Sequence, residues 1–338
     1  MKPVLNYVYR CPQPIYFSLE KLFNRISRQI AQSDEFVVKE YLLPLPSKVK
    51  NLWSNFMAAR KNQGTINHVT GDVQYALLAY KKKNINILTI HDCVLLHQYP
   101  RSSLRYWILK WLWYDWPVRK ADAVTVISDN TRQELLRFTN CDPRKIRVIP
   151  NFVDPLFEAA PRDFNKEQPT ILFIGSTPNK NLERLVEALD GIRARLTIVG
   201  VLREDQIRLL EQHHIIYSQF SGLTQEALVE KYIESDLLAF PSTYEGFGLP
   251  IVEAQAIGRP VLTSDKEPMR EVSGGAAALV DPADTASIRE GLLRILNDGD
   301  YREDIVARGF ENVKRFRLDN IADQYRLLYK ELLAQKAN

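Results

Sequence analysis

The chain has 338 residues, 45% hydrophobic and 25% charged, a balance that excludes a peptide hormone, a small disulfide scaffold, a coiled coil and a disordered tail. One hydrophobic core rarely organises so many residues, so two domains of roughly 150 residues each are expected. The net charge is +4 but uneven: residues 1–160 carry 23 Lys and Arg against 13 Asp and Glu, and residues 161–338 carry 22 against 28. The first part, at +10, either faces an anionic partner (phosphate, nucleic acid or a membrane surface) or simply has uneven surface charge.

Taken in chain order, VLNYVYR reads as a strand and SLEKLFNRISRQIAQ as the helix after it. EFVVKEYLL, INHV, INILTI, AVTVI and KIRVIP continue the series, with helical stretches between most of them. After the loop-like NFVDPLFEAAPRDFNKEQP the pattern restarts with TILFI, ARLTIV, HIIYS, LLAFP, PVLTS and AALV. This alternation predicts an α/β fold with two Rossmann-like doubly wound domains facing a cleft. The expected boundaries are residues 1–155 and 165–318, with residues 319–338 as a helix crossing back to the first domain. No repeat of fixed period is visible, which argues against a solenoid.

Cys11, Cys93 and Cys141 are too widely spaced for a disulfide framework or a zinc cluster and suit a reducing compartment. The opening MKPVLNYVYR lacks the apolar core of a signal peptide, and no window has the length of uncharged apolar residues that spans a bilayer. The expected location is the cytoplasm, free or peripheral at the inner face of the cell membrane. Trp107, Trp111, Trp113 and Trp116 lie in RSSLRYWILKWLWYDWPVRK, where apolar residues surround the helix. That pattern is expected of a buried core helix, and the basic flanks make contact with an anionic membrane the alternative.

Ligands of doubly wound sheets collect beyond the carboxyl ends of the strands, so the polar residues that follow each strand run are the candidates. In FPSTYEGFGLPIVEAQAIGRPVLTSD, residues 240–265, a strand gives way to a Gly-containing loop and then to a helix opened by Pro250. Phe247, Gly248 and Leu249 would turn backbone N–H groups towards a phosphate there. Glu245, in the loop, and Glu253, in the helix, would address different parts of one elongated ligand, a sugar ring and a ribose. In ILFIGSTPNKNLERLVEAL, Gly175 ends a strand, Asn179 or Asn181 can cap the next helix, and Lys180 could reach a diphosphate. His91 and Asp92 follow INILTI, and Gly71 and Asp72 follow INHV. The histidines show no HxxxH or HxH spacing, and no metal is expected.

The EGFGLPIVEA stretch, with GRPVLTSD after it, resembles the Glu, seven residues, Glu signature of the retaining, nucleotide-sugar-dependent glycosyltransferases of the GT-B fold (family four, group one), and the resemblance extends over nearly the whole chain. It implies that Glu245 lies near the transferred sugar, that Glu253 binds the ribose, and that His91 stands close to acceptor and reacting sugar, so His91, Lys180 and Glu245 become the catalytic candidates. Gly175, Lys180, Phe247, Gly248, Leu249 and Glu253 are the donor-binding set, and Arg10, Tyr16, Asp72 and Asp92 border the acceptor. Two departures stand out: Ser176 and Thr177 occupy the place of an arginine that relatives usually have, and RCPQPIYFSLE replaces a Gly-rich loop after the first strand. The implied function is transfer of a hexose from a nucleotide diphosphate sugar, with no cofactor, to a glycan or lipid-linked saccharide in cell-envelope polysaccharide synthesis. No nucleic-acid motif accompanies the basic first half. A nucleotide-sugar epimerase, a phosphorylase and a non-catalytic sugar-nucleotide binding module are the alternatives. A glycoside hydrolase is disfavoured, since it needs two carboxyl groups about 5–9.5 Å apart across one bond.

Overall fold

A computed structural model describes residues 2–11, 18–97 and 99–337, with nothing described of the side chains of Ser18 and Leu19. Tyr16 therefore lies outside the described residues. The chain divides into two units, Met1–Phe152 with Leu318–Asn338, and Val153–Arg317.

The first unit holds a parallel sheet of β1 (Val4–Tyr9), β2 (Val37–Leu42), β3 (Ile66–Val69), β4 (Ile85–Ile90), β5 (Ala123–Val126) and β6 (Ile146–Val148), in the order β2-β1-β3-β4-β5-β6. Its central strand β4, INILTI, is buried at every residue, as a strand covered on both faces must be, whereas the edge strand β2 exposes charged Lys39 and Glu40. The last helix, Leu318–Ala337, closes one face of this sheet with Tyr325 and Tyr329, beside Tyr7, Phe23 and His68.

The second unit repeats the plan with β7 (Thr170–Ile174), β8 (Arg195–Val199), β9 (Ile216–Phe220), β10 (Leu237–Phe240), β11 (Val261–Ser264) and β12 (Ala278–Val280), in the order β12-β11-β10-β7-β8-β9. The strand sequence reverses direction between β7 and β10, and between β1 and β3 in the first unit. At such a reversal the connections leave on opposite faces of the sheet and open a crevice beyond the carboxyl ends. Residues 153–155, expected in the first domain, and residues 156–164, expected between the two, belong to the second unit, where the Ala160 N–H donates to the Ile257 carbonyl at 3.1 Å.

The tryptophan-rich stretch departs from expectation. Residues 104–120 form a helix interrupted by a π turn, Lys110–Asp115. Trp113 is buried, but Trp107, Trp111 and Trp116 are 53, 51 and 44% exposed, so the stretch is not a core helix. An apolar pattern all round a helix does not say which face the neighbours cover, and only one face is covered here.

Candidate functional site

The reversal between β7 and β10 brings together the two loops singled out from the sequence. Gly175 follows β7 at φ +95°, a backbone state that only glycine adopts freely, and a Cβ there would sit 2.8 Å from the Lys180 side chain. The aliphatic stem of Lys180 thus lies across Gly175, and its Nζ stands 4.7 Å from the centre of the Phe240 ring. Nζ donates to Glu245 Oε1 at 2.7 Å, with both side chains largely enclosed. The loops are stitched by backbone as well: Thr243 N–H donates to Asn179 O at 2.8 Å, and Asn179 Nδ2 donates to Tyr244 O at 3.0 Å.

The helix Leu249–Ile257 begins directly after Gly248, which has φ +106°. The first amides of a helix have no carbonyl one turn back and carry its positive dipole end, so this start favours oxygen anions. The Phe247 ring is buried edge-on against Phe316, 5.6 Å between centres, which leaves only its backbone to face a ligand. On the same helix Glu253 Oε2 accepts a 2.6 Å hydrogen bond from the Tyr232 hydroxyl. Burial raises the Glu253 pKa to about 7, Asp154 adds repulsion, and the Tyr232 bond and Lys180 oppose the rise. Burial also raises Tyr232, which remains the proton donor of the pair.

In the first unit the reversal between β1 and β3 gathers Arg10, Asp72, His91 and Asp92. Arg10 forms a fork with Glu20, at 2.6 and 3.3 Å. The carboxylate of Asp92 accepts from the Val94 N–H at 3.0 Å. Enclosure raises the pKa of Asp72, Asp92 raises it further and Arg10 offsets the rise. The His91 ring donates through Nε2 to the Thr70 carbonyl at 2.9 Å, so Nδ1 carries the lone pair, and this buried Nδ1 has no hydrogen-bonding partner among the described residues. Burial lowers the His91 pKa, which keeps the ring neutral.

Several residues behave differently from expectation, and several were missed. Asn181 occupies the start of the helix Leu182–Leu189 but does not cap it. Instead its Nδ2 donates to the carbonyls of Pro241 and Pro282, at 3.0 and 2.7 Å, tying three loops. Asn179, the other proposed cap, uses its side chain on Tyr244. Tyr232 has no sequence signal, because it meets Glu253 across 21 positions. Arg203 donates to the Ser176 carbonyl at 3.2 Å, but Glu183 and Asp205 balance its charge. Asp298 and Asp300 have the Asp-x-Asp spacing that can hold a cation on a diphosphate, but Asp298 caps the helix Gly299–Val313, its carboxylate accepting from the Tyr301 N–H at 2.9 Å. Among the described residues no group of three His, Cys, Asp or Glu side chains could hold a metal ion. A cavity of 610 Å³ lies at the amino ends of β10 and β11, lined by Arg162, Asp236, Arg259 and Arg302; it is remote from the carboxyl-end loops, and its guanidinium groups are committed to backbone carbonyls.

Comparison with known proteins adds to this geometry. The family described as "Glycosyl transferases group 1" matches residues 157–312, and "Glycosyltransferase Family 4" matches residues 20–156. The chain is 28% identical over 274 residues to O-antigen chain mannosyltransferase B of Escherichia coli, covering 73% of this chain and 70% of that protein. It is 32% identical over 172 residues to phosphatidyl-myo-inositol mannosyltransferase of Mycobacterium leprae (strain TN), covering 48% of this chain and 46% of that one. Among solved structures, sucrose-phosphate synthase from Thermosynechococcus elongatus superimposes with a TM-score of 0.76 at 18% identity, over 98% of this chain and all of that one. Anabaena Alr3699/HepE in complex with UDP and glucose gives 0.75 at 15% identity, over 96 and 99%. These two show that the two-unit fold, with its paired Rossmann-like sheets, is shared.

Proposed function

The chain belongs to the group 1, family 4 glycosyltransferases, and from that premise we propose that it moves a hexose, with retained anomeric configuration, from a nucleotide diphosphate sugar to a hydroxyl of a glycan or lipid-linked saccharide. The observation that carries this reading is the convergence of Lys180 and Glu245, 2.7 Å apart, beside a helix start at the switch point of the second sheet. In the reaction the bond from the anomeric carbon to the β-phosphate oxygen breaks and the bond to the acceptor oxygen forms. The acceptor proton leaves with the diphosphate. Negative charge grows on that phosphate, so groups already aimed at it lower the barrier most.

Lys180 and the amides of Phe247, Gly248 and Leu249 supply that stabilisation without a metal, and Gly175 lets the Lys180 stem lie against the backbone so that its ammonium reaches the diphosphate. Once Lys180 turns to the phosphate, Glu245 is released to hold sugar hydroxyls. Glu253 accepts from the ribose. On the acceptor side, His91 Nδ1 receives a hydroxyl, with Asp72, Asp92 and Arg10 around it. The mannosyltransferase relatives make GDP-mannose the first donor to test, and the UDP and glucose in the HepE structure make UDP-glucose the second. The setting we assign is cell-envelope polysaccharide assembly by a cytoplasmic enzyme peripheral to the inner membrane face. The excess basic charge of residues 1–160 supports anionic membrane contact.

The test uses the full chain with a panel of nucleotide sugars, with and without saccharide acceptors, in the presence of chelator. NMR of the product should show the donor's anomeric configuration and undiminished turnover in chelator. Turnover of donor to an epimer without acceptor, an inverted product, or activity restored only by metal would each overturn part of the reading.

A further inference from the structure

Large apolar side chains normally lie inside a folded unit, yet the first unit turns several of them outward on two helical stretches. On 104–120, Leu104, Trp107, Ile108 and Trp111 recur at spacings of three and four and share one face, Leu104 being 75% exposed. The π turn then brings Trp116 to the same patch, where its ring stacks on Trp111 at 4.6 Å. The other side of the stretch, with Tyr106, Trp113 and Tyr114, is buried. On the helix Leu52–Lys61, Trp53 is 72% exposed. Both stretches are fastened to Tyr75: Asn55 Nδ2 donates to its hydroxyl at 2.8 Å, and the Trp113 ring centre lies 5.1 Å from its ring.

Charge selects the occupant. Lys48, Lys50, Arg101, Arg105 and Arg119 flank the two patches, and residues 43–63 contain no Asp or Glu. Residues 99–120 contain one acid, Asp115, which Lys110 neutralises at 2.5 Å. Indole rings beside cationic side chains suit the headgroup layer of an anionic bilayer.

We propose that this two-helix face inserts into the interface of an anionic membrane, with Trp53, Trp107, Trp111 and Trp116 at headgroup depth. The assignment rests on the membrane-surface reading above and names the surface that makes the contact. The Tyr114 hydroxyl donates to the Asp92 carbonyl at 3.4 Å, so the inserted stretch is tied to a loop of the acceptor side. A lipid-linked acceptor would meet the protein beside its docking face.

The test is co-sedimentation of the full chain with phosphatidylcholine vesicles, with and without phosphatidylglycerol. Binding is expected to the anionic vesicles, falling as salt rises, with a blue shift of tryptophan emission. The Trp107→Ser/Trp111→Ser pair should bind about tenfold more weakly, and Trp107→Phe/Trp111→Phe should retain most binding. Circular dichroism checks the fold; if the serine pair misfolds, Arg105→Glu/Arg119→Glu is the replacement, with the same loss expected. Failure of the wild type to bind any vesicle overturns the membrane reading itself. Binding that these variants leave unchanged overturns only the choice of face. A dimer in sedimentation velocity that the serine pair dissolves gives the face to a second copy and overturns the proposal.

Discussion

The carboxyl ends of the two sheets carry their polar groups in opposite states. At the switch point of the second unit the charges are already engaged, Lys180 with Glu245 at 2.7 Å and Glu253 with Tyr232 at 2.6 Å. In the first unit Arg10 is paired with Glu20, but His91 keeps a buried, neutral nitrogen without a partner. In the function proposed above, the second unit's site meets a diphosphate and needs its cation held in place beforehand, which a resident carboxylate does until the ligand competes for it. The first unit's site, proposed to meet a hydroxyl, needs an uncharged acceptor, which burial supplies by lowering a histidine pKa. The first unit repeats the lesson internally. His68, on β3, hydrogen-bonds Tyr329 and Thr89 at 2.7 Å each and is structural, whereas His91, just past β4, uses one nitrogen and leaves the other open.

The sharpest break of this contrast is Lys180→Ala. It should lower kcat by about 10²–10³-fold with a smaller change in donor affinity, as expected when a charge-stabilising donor is lost. Steady-state kinetics with calorimetric donor binding measures both, and a loss under tenfold would transfer the role to the helix amides.

Glu253 comes next. Its folded pKa, about 7, lies above its ordinary 4.5. The stability this group allows is therefore complete below about pH 4.5 and is lost as pH rises through 7, where the folded chain must bear a buried carboxylate at a cost of roughly 3 kcal/mol. Glu253→Gln, which keeps an acceptor for the Tyr232 hydroxyl, should raise Tm at pH 8 by about 5–10 °C and leave it unchanged at pH 4. Donor affinity of the wild type should tighten as pH passes 7 and the carboxylate forms, and the glutamine variant should lose that dependence. Equal Tm shifts at both pH values would remove the titration from the explanation.

The two histidines test the smaller effects. His68→Ala strands the Tyr329 and Thr89 hydroxyls and should cost about 2 kcal/mol in denaturant unfolding, without a specific change in acceptor KM. His91→Phe removes the hydrogen bond to the Thr70 carbonyl and should cost about 1 kcal/mol in unfolding, while reducing kcat/KM for acceptor about tenfold, the value of one further hydrogen bond. Because the His91 pKa is lowered, no wild-type activity limb near pH 6.5 should belong to it. A limb there that vanishes in His91→Phe would show a charged histidine and refute the neutral acceptor.

Much of this molecule follows from local pattern alone. All twelve strands coincide with apolar or β-branched runs legible in the chain, and Gly175, Lys180, Gly248, Leu249 and Glu253 stand where strand, loop and helix-start chemistry puts them. Such features depend on neighbours within a few residues, through period, backbone freedom and the unbonded amides of a helix start. Tertiary structure alone decided the rest: that Tyr232 would shelter Glu253, that Asn181 would bind two distant carbonyls instead of capping its helix, and that three of the four tryptophans of 104–120 would face outward. Each depends on what another segment places alongside, and an apolar stripe has the same spacing whether a core covers it or nothing does.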